Sequence, residues 1–294
     1  MINIKNSVLF VVGFLLLIFS KIKVCLQGYK DPKPFGVDDI DRSIEYDLLV
    51  VDHWLVNLER YCGLSDISGK QVMELGPGSD LGVGIKLLAL GASKYNACDV
   101  NPLIKTTPMS FYEQLFKRLK SESYEVDEIE KQLECFMRKE KSNLNYVVDS
   151  NFDLEKNFKK KSIDLIFSQA AFEHFDDVEK TIGKLSTICK EGAILVAEVD
   201  LQAHSRWVRD KDPNNIYRFP LWLYRLVWYR GIPNRLRPFE YEQILATNGW
   251  GEIDILPLKL AEGGDKVYSG LHRDFKSQKN EMNSLTITIT AKKM

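Results

Sequence analysis

The sequence predicts an α/β protein: a doubly wound, seven-stranded, mostly parallel sheet with an antiparallel last strand, plus an N-terminal apolar helix. Two observations carry this prediction. Short apolar segments alternate with segments of helical periodicity between residues 71 and 256, which is typical of a parallel sheet covered by helices on both faces. The last apolar segment, Leu285–Ala291, alternates at period two and fits an antiparallel strand near the sheet edge.

The individual elements follow from this alternation. We predict strands at Gln71–Leu75, Lys94–Val100, Leu144–Val148, Ile163–Ser168, Ala193–Val199, Glu252–Leu256 and Leu285–Ala291. We predict helices at Ile40–Tyr61, Leu81–Leu90, Val178–Cys189 and Pro238–Asn248, of which the second and the last precede glycines. Two insertions interrupt the alternation. Residues 102–142 carry a charged helix pair, and residues 201–238 cross over beyond the fifth strand, where ligands bind in such sheets.

An uncharged apolar run from Val8 to Phe19 distinguishes the N-terminus. Its 12 residues fall short of a full span, which needs about 20. No small-residue cleavage site follows, and Lys21 and Lys23 come at once, so we expect residues 1–30 to form an uncleaved anchor with its C-terminal side in the cytoplasm. A buried packing helix and a cleaved segment are the alternatives. Residues 31–36 are predicted to be a linker, and residues 31–294 one domain.

Composition restricts the classes of partner. The chain has 294 residues, 45% hydrophobic and 28% charged, as in an ordinary globular protein. Its formal net charge of −1 gives no electrostatic reason to expect a nucleic acid. The five cysteines show neither pairing nor metal-ligand spacing, which favours a reducing compartment.

A turn rich in glycine follows the first predicted strand. It reads Glu74-Leu75-Gly76-Pro77-Gly78, and Asp99 ends the next strand. The glycines let the backbone approach a ligand closely, and an acid at the end of the second strand accepts hydrogen bonds from ribose hydroxyls. Glu74 would repel a pyrophosphate and attract a cation, such as a sulfonium or an ammonium, so a nicotinamide dinucleotide is disfavoured.

These residues resemble the first two motifs of the class I S-adenosylmethionine-dependent methyltransferases, and the resemblance spans roughly residues 45–294. The third glycine of the usual pattern is replaced here by Asp80. The resemblance implies a Rossmann-like sheet and S-adenosylmethionine as the cofactor. The cofactor-binding residues it implies, with Asp149 at the adenine and Ser168 near the ammonium, are Glu74, Gly76, Gly78, Asp99, Val100, Asp149 and Ser168.

Methyl transfer to an oxygen needs the acceptor proton removed, and a histidine or an acid suits that work. His204 is our first candidate for the base, His174 the second, and Asp200 an orienting partner. Both histidines also have a purely structural interpretation, and methyl transfer by proximity alone needs no base. Some ubiquinone-type methyltransferases bind a metal through Glu-x-x-Glu-His. Here Ala170 replaces the first glutamate, so we predict no metal.

Aromatic residues and arginines are interleaved in residues 201–238. Such surfaces suit sugars and anionic head groups and also membrane interfaces, although a packed lid would show the same composition. Arg235 and Arg237 are the arginines that we expect to contact a phosphate-bearing acceptor. The segment is similar to methyltransferases of bacterial polysaccharide and lipid-linked pathways.

The resulting prediction is an enzyme that methylates an oxygen of a sugar or lipid-linked acceptor at the cytoplasmic membrane face. A soluble small-molecule methyltransferase and a non-catalytic S-adenosylmethionine-binding module are the alternatives.

Overall fold

The computed structural model of the chain describes residues 4–28 and 39–294, so the linker predicted at residues 31–36 lies outside the described residues. The strands are β1 Gln71–Leu75, β2 Lys94–Asp99, β3 Leu144–Val148, β4 Ile163–Gln169, β5 Cys189–Asp200, β6 Trp250–Leu260 and β7 Ser284–Lys293. They form one sheet in the order β3-β2-β1-β4-β5-β7-β6. The strands β1 to β5 pair in parallel, and β7 runs antiparallel between β5 and β6. The predicted fold class is confirmed.

The helices are α1 Ile4–Gln27, α2 Ile40–Cys62, α3 Gly82–Ala89, α4 Met109–Ser121, α5 Asp127–Met137, α6 Leu154–Asn157, α7 Val178–Ile188, α8 Arg206–Arg209, α9 Leu221–Leu226 and α10 Pro238–Thr247. Four helices were predicted with their bounds, and they correspond to α2, α3, α7 and α10. Each ends within one residue of the predicted position. The charged insertion forms the expected helix pair, α4 and α5.

Two apolar cores cover the two faces of the sheet, because successive strand residues point to opposite faces. Val72 and Leu165 pack with α2, α3 and α4 on one face, whereas Met73 and Ile166 pack with α7 and α10 on the other. On the first face, Trp54 of α2 stacks on the ring of Phe167, with 4.9 Å between the ring centroids. Helices on both faces confirm the doubly wound arrangement.

The alternating residues of β7 indicate the strand direction correctly but not the burial. Alternation predicts one solvated face, yet the side chains of Thr288 and Thr290 are 2% and 0% exposed. The reason is the position of β7 between β5 and β6, while β6 forms the exposed edge of the sheet. A β-branched threonine packs well on a pleated surface, so these polar residues occupy buried positions of the strand.

A third apolar cluster lies outside the sheet and joins α1 to residues 201–238, hereafter the crossover segment. Ile216, Tyr217 and Phe219 of this segment are buried, and apolar residues of α1 pack against them. The Nδ2 of Asn215 donates a hydrogen bond of 2.9 Å to the carbonyl oxygen of Leu9 in α1. Among the described helices, α1 is long and apolar enough to cross a membrane, by length and composition.

Candidate active site

The turn after β1 is held in a conformation that favours glycine. Gly76 and Gly78 have φ angles of +74° and +78°, a region that other residues adopt only at a cost. A Cβ on Gly76 would lie 2.6 Å from the Cβ of Ala171, which follows β4. The Gly76 amide also donates a hydrogen bond of 3.0 Å to the Cys98 carbonyl oxygen in β2. The turn is therefore packed closely between the ends of β2 and β4.

A cavity of about 900 Å³ opens beside this turn. Side chains from the carboxyl ends of four parallel strands line it: Glu74, Asp99, Gln169 and Glu198. Tyr46, Asp47 and Val50 of α2 close one side, and parts of the crossover segment close another. Ligands of open α/β sheets bind at this carboxyl edge, and the volume suits a cofactor-sized ligand.

Glu74 and Asp99 place two acidic side chains in the lining of the cavity. Glu74 is 2% exposed and accepts a hydrogen bond from the Tyr95 hydroxyl. Burial, and after it the charge of Glu74, raises the pKa of Tyr95 well above its ordinary value, so Tyr95 remains a donor. An Oδ1 of Asp99 accepts a 2.8 Å hydrogen bond from the Asn101 amide. This acidic edge suits a ligand that carries hydroxyls and positive charge.

The structure brings five of the seven predicted cofactor residues to the cavity and leaves two outside its lining. Glu74, Gly76, Gly78, Asp99 and Val100 line it. Ser168, which is 0% exposed, donates a 3.0 Å hydrogen bond to the Leu75 carbonyl oxygen inside the sheet. The Asp149 carboxylate accepts hydrogen bonds from the Asn151 amide and from Asn157 Nδ2, and it therefore shapes the loop from which Asn151 reaches the cavity.

Gln169, and not the predicted Ser168, lines the cavity at the end of β4, because β4 is one residue longer than predicted. Strand residues alternate between faces, so the shift from Ser168 to Gln169 exchanges a core side chain for one that lines the cavity. In the described part of the chain, its buried Oε1 has no hydrogen-bond partner. Beside it, burial raises the pKa of Glu198. An ammonium group would satisfy these oxygens.

The two candidate bases lie together at the far wall of the cavity. The rings of His174 and His204 are perpendicular, with 4.7 Å between their centroids. The Nδ1 of His174 lies 2.5 Å from the Gly231 carbonyl oxygen, and the Nδ1 of His204 lies 3.0 Å from that of Gln202. Because a carbonyl oxygen only accepts, each Nδ1 carries the proton. Burial lowers the pKa of both rings, that of His174 to about 4, so both rings are neutral at neutral pH and each Nε2 carries a lone pair.

Asp200 acts on His204 through a neighbour and not by direct contact. Its Oδ1 accepts hydrogen bonds from the amide and the Nε2 of Gln202, at 3.1 and 2.9 Å, and its Oδ2 lies 2.8 Å from Arg209. The Gln202 carbonyl is the group that orients His204. The orienting role of Asp200 stays a prediction, and Gln202 is the residue through which Asp200 would orient His204.

Glu173 brings a buried acid against this pair. Its Oε1 lies 4.0 Å from His204 Nε2, and its Oε2 has no partner among the described residues. Burial, with the charge of Asp200 second, raises its pKa well above the ordinary value. Glu173, His174 and His204 could hold a metal ion, since their ligand atoms lie within 4.8 Å of one another. The absence of a metal stays a prediction. The sequence did not show that His204 lies close to Glu173 and His174 in the folded chain.

The arginines singled out in the sequence are structural. Arg237 is 0% exposed and donates hydrogen bonds to the carbonyl oxygens of Asn280, Glu281 and Ser284, and Arg235 donates to carbonyls inside the crossover segment. Their predicted contact with an acceptor is therefore wrong. The cations that do line the cavity are Lys180, Lys184, Arg209 and Arg230.

Comparison with known proteins supports the class of enzyme that the sequence resembles. Residues 109–197 match the family model of a methyltransferase domain. The match runs from α4 to β5 and includes Glu173 and His174, whereas the Glu74 turn and Asp99 lie outside it. Together with the order of the seven strands, this match supports a class I, S-adenosylmethionine-dependent methyltransferase domain and S-adenosylmethionine as its cofactor. No curated protein matches the chain.

Several solved structures are similar. A CurJ carbon methyltransferase has a TM-score of 0.49 and 15% identity, covering 96% of this chain and 66% of that chain. Phosphoethanolamine N-methyltransferase 2 of Haemonchus contortus, in complex with S-adenosyl-L-methionine, has a TM-score of 0.45 and 15% identity, covering 82% and 52%. A putative S-adenosylmethionine-dependent methyltransferase of Listeria monocytogenes has a TM-score of 0.46 and 17% identity, covering 84% and 99%. All three scores lie below 0.5, so the fold assignment depends on the strand order itself.

Proposed function

We propose that this protein is an S-adenosylmethionine-dependent methyltransferase that methylates an oxygen of a sugar or lipid-linked acceptor at the cytoplasmic membrane face. The observation that carries the proposal is one shared cavity. The turn of Glu74, Gly76 and Gly78, the acid Asp99 and the neutral imidazole of His204 all line it.

The strand ends β1, β2 and β4 would hold the cofactor. Asp99 would accept hydrogen bonds from its ribose hydroxyls, and Gly76 and Gly78 leave room for close approach of the backbone. The acidic Glu74 and the unpartnered Oε1 of Gln169 would face positive charge. Asp149 and Ser168 would support this site by shaping its loop and its strand. When bound, the cofactor supplies an electrophilic methyl group.

His204 would act as the general base. Its Nε2 would take the proton of the acceptor hydroxyl, so that the O–H bond breaks as the oxygen accepts the methyl group that the bound cofactor would supply. The proton then resides on His204. The lone pair is available at neutral pH because the ring's Nδ1 is bound to Gln202 and its pKa is lowered by burial. His174, in ring contact with His204, is the second candidate.

Four cations along the cavity would bind an acceptor with an anionic group, in competition with the acids that Lys184, Arg209 and Arg230 already contact. Arg209 and Arg230 come from the crossover segment, and Lys180 and Lys184 from α7. Guanidinium groups bind phosphate by paired hydrogen bonds, which fits a phosphate-bearing sugar or lipid. The net charge of −1 gives no reason to expect a nucleic acid.

Incubation with methyl-labelled S-adenosylmethionine tests the proposal. Full-length protein is mixed with membranes or with cytosol, and the products are separated into lipid-extractable and water-soluble fractions. We expect label in a lipid-extractable product and its loss with His204→Ala. Label confined to a small soluble product would favour a soluble methyltransferase. Cofactor binding without any transfer would favour a non-catalytic binding module.

A further inference from the structure

One face of α1 is apolar and exposed along its whole length. Its residues recur at intervals of three and four, the period of one helix face, and each is between 42% and 80% exposed: Ile4, Val8, Val11, Val12, Leu15, Phe19, Ile22 and Leu26. This outer stripe contains no charged side chain. At 1.5 Å per residue it is about 33 Å long.

The opposite face of α1 packs against the folded domain from its first turn to its last. Near the start, Asn6 Nδ2 donates a 3.0 Å hydrogen bond to Ser269 Oγ. Near the middle, Gly13 leaves no room for a Cβ, which would lie 1.8 Å from Asn215 Oδ1. Near the end, Lys21 Nζ donates a 2.9 Å hydrogen bond to the Leu226 carbonyl oxygen. A helix that spans a bilayer is surrounded by lipid along its length, and this contact with the domain is incompatible with that position.

Exposed apolar side chains also lie on α9 and the residues after it, and α9 contacts α1. The Lys21–Leu226 hydrogen bond joins the two elements, and the neighbouring exposed side chains are Leu221, Trp222, Leu226 and Trp228, at 47% to 65%. Tryptophan is enriched where membrane meets water. Lys5, Lys23 and Arg225 are exposed on the same two helices and carry positive charge.

We infer that α1 does not span the membrane but lies along its surface, and that the outer stripe and α9 form a docking face for a phospholipid bilayer. An in-plane helix of this kind buries its apolar face at the headgroup boundary and keeps its cations near anionic lipid. A lipid surface fits better than a second protein copy. The 18-residue window of α1 has a mean hydropathy of 2.4, whereas protein interfaces are only moderately more apolar than other surfaces.

The docking face lies next to the mouth of the cavity. Val24, in the last turns of α1, lines the cavity, and Arg230, just beyond Trp228, lines it as well. This step rests on the proposed function. Within that function, the placement favours an acceptor whose hydroxyl is held at the membrane surface by a lipid. A lipid-borne head group reaches the cavity without leaving the bilayer.

Vesicle binding tests the docking face. Full-length protein is sedimented with vesicles of phosphatidylcholine and phosphatidylglycerol. The triple variant Val11→Gln, Leu15→Gln, Phe19→Gln should bind at least about tenfold more weakly, since each apolar side chain loses its transfer out of water. The matched control is the triple variant Leu49→Gln, Val56→Gln, Met137→Gln. It changes exposed apolar residues outside the docking face and should bind like the wild type. Equal binding of both triple variants would overturn the inference.

Labelling in intact cells distinguishes an in-plane helix from a spanning one. Lys5→Cys lies in the first turn of α1, and a spanning helix with a cytoplasmic domain would expose it outside the cell. We expect a membrane-impermeant maleimide to label this variant only after lysis. Labelling of intact spheroplasts would overturn the inference.

Two further measurements distinguish docking to lipid from a failure of the proposed function and from self-association of the chain. The outer-stripe triple variant should bind S-adenosylmethionine like the wild type in calorimetry. Absence of cofactor binding in every protein would refute the proposed function while leaving the vesicle result intact. A wild-type dimer in lipid-free buffer that the triple variant dissociates, without vesicle binding by either, would assign the stripe to a second copy and refute docking to lipid.

Discussion

Asp99 is the residue that we propose to bind the ribose of the cofactor. It lines the cavity and is 6% exposed. Asp99→Ala should weaken S-adenosylmethionine binding by about 1.5–3 kcal/mol, the range for hydrogen bonds to a charged group. Isothermal calorimetry measures this. Asp66→Ala is the matched control, because that acid is exposed and does not line the cavity. Equal losses in the two variants would contradict the assigned site.

His204 is expected to control turnover and not cofactor binding. His204→Ala should lower kcat by roughly 10²–10⁴-fold, the usual contribution of a general base, with unchanged S-adenosylmethionine affinity. Because burial lowers its pKa, wild-type turnover should be level through neutral pH and fall only on acidification below the ordinary histidine range. Steady-state kinetics across pH checks both points. Near-normal turnover in the variant would leave proximity as the main catalytic term.

Glu173 should reduce stability at neutral pH. Its folded pKa is raised, so the native state keeps a proton that the unfolded chain releases above about pH 4.5. Stability therefore falls as pH rises through this window, by up to about 1.4 kcal/mol per pH unit. Glu173→Gln removes the effect, and its melting temperature should exceed that of wild type by a margin that grows with pH. A wild type that is the more stable protein, and loses that advantage with EDTA, would instead indicate a bound cation.

Individual site residues were predictable where their position depends on a strand end alone. The glutamate in β1, the glycines after it and the acid that ends β2 were placed in this way, and all of them line the cavity. Ser168 and Gln169 were confused because one residue of strand length exchanges the two faces of β4. The neighbours of His204 depend on how the crossover segment folds back, which no local pattern encodes.

At the scale of elements, Arg237 shows how the crossover segment is held. Its guanidinium joins the start of α10 to the carbonyls of residues 280–284 before β7. Arg237→Met removes the guanidinium donor of three carbonyls, of which that of Glu281 still accepts from the Ser284 amide. It should lower the free energy of unfolding by about 3 kcal/mol, since each orphaned group costs about 1–3 kcal/mol. Chemical denaturation measures this. Arg230→Met, at an exposed arginine, should change stability by less than about 1 kcal/mol. Equal effects would contradict the structural role of Arg237.

Helices and strands of the sheet were predictable because their apolar period is local. The partnership of α1 with the crossover segment was not, since Leu9 and Asn215 are far apart in sequence and meet only in the folded chain. The same distance explains the wrong role given to Arg235 and Arg237. A guanidinium bound to buried carbonyls and one facing a ligand look alike in sequence.

On the scale of the whole molecule, the order of the strands brings side chains from distant segments of the chain to one edge of the sheet. Strands β1, β2, β4 and β5 end at the same cavity, and α1 ends at its mouth. The division into an anchor of residues 1–30 and a domain of residues 31–294 stays a prediction. Within the described residues, the packed face of α1 makes this helix part of the folded domain as well as a candidate membrane contact.

Ligand binding to the full-length protein tests the central claim most directly. In calorimetry, S-adenosylmethionine and its demethylated product S-adenosylhomocysteine should both bind with a stoichiometry of about one, and Asp99→Ala should weaken both. NAD should give no measurable heat, because its pyrophosphate would meet the acidic Glu74 beside the glycine turn. Tighter binding of NAD than of either sulfur ligand would contradict the account.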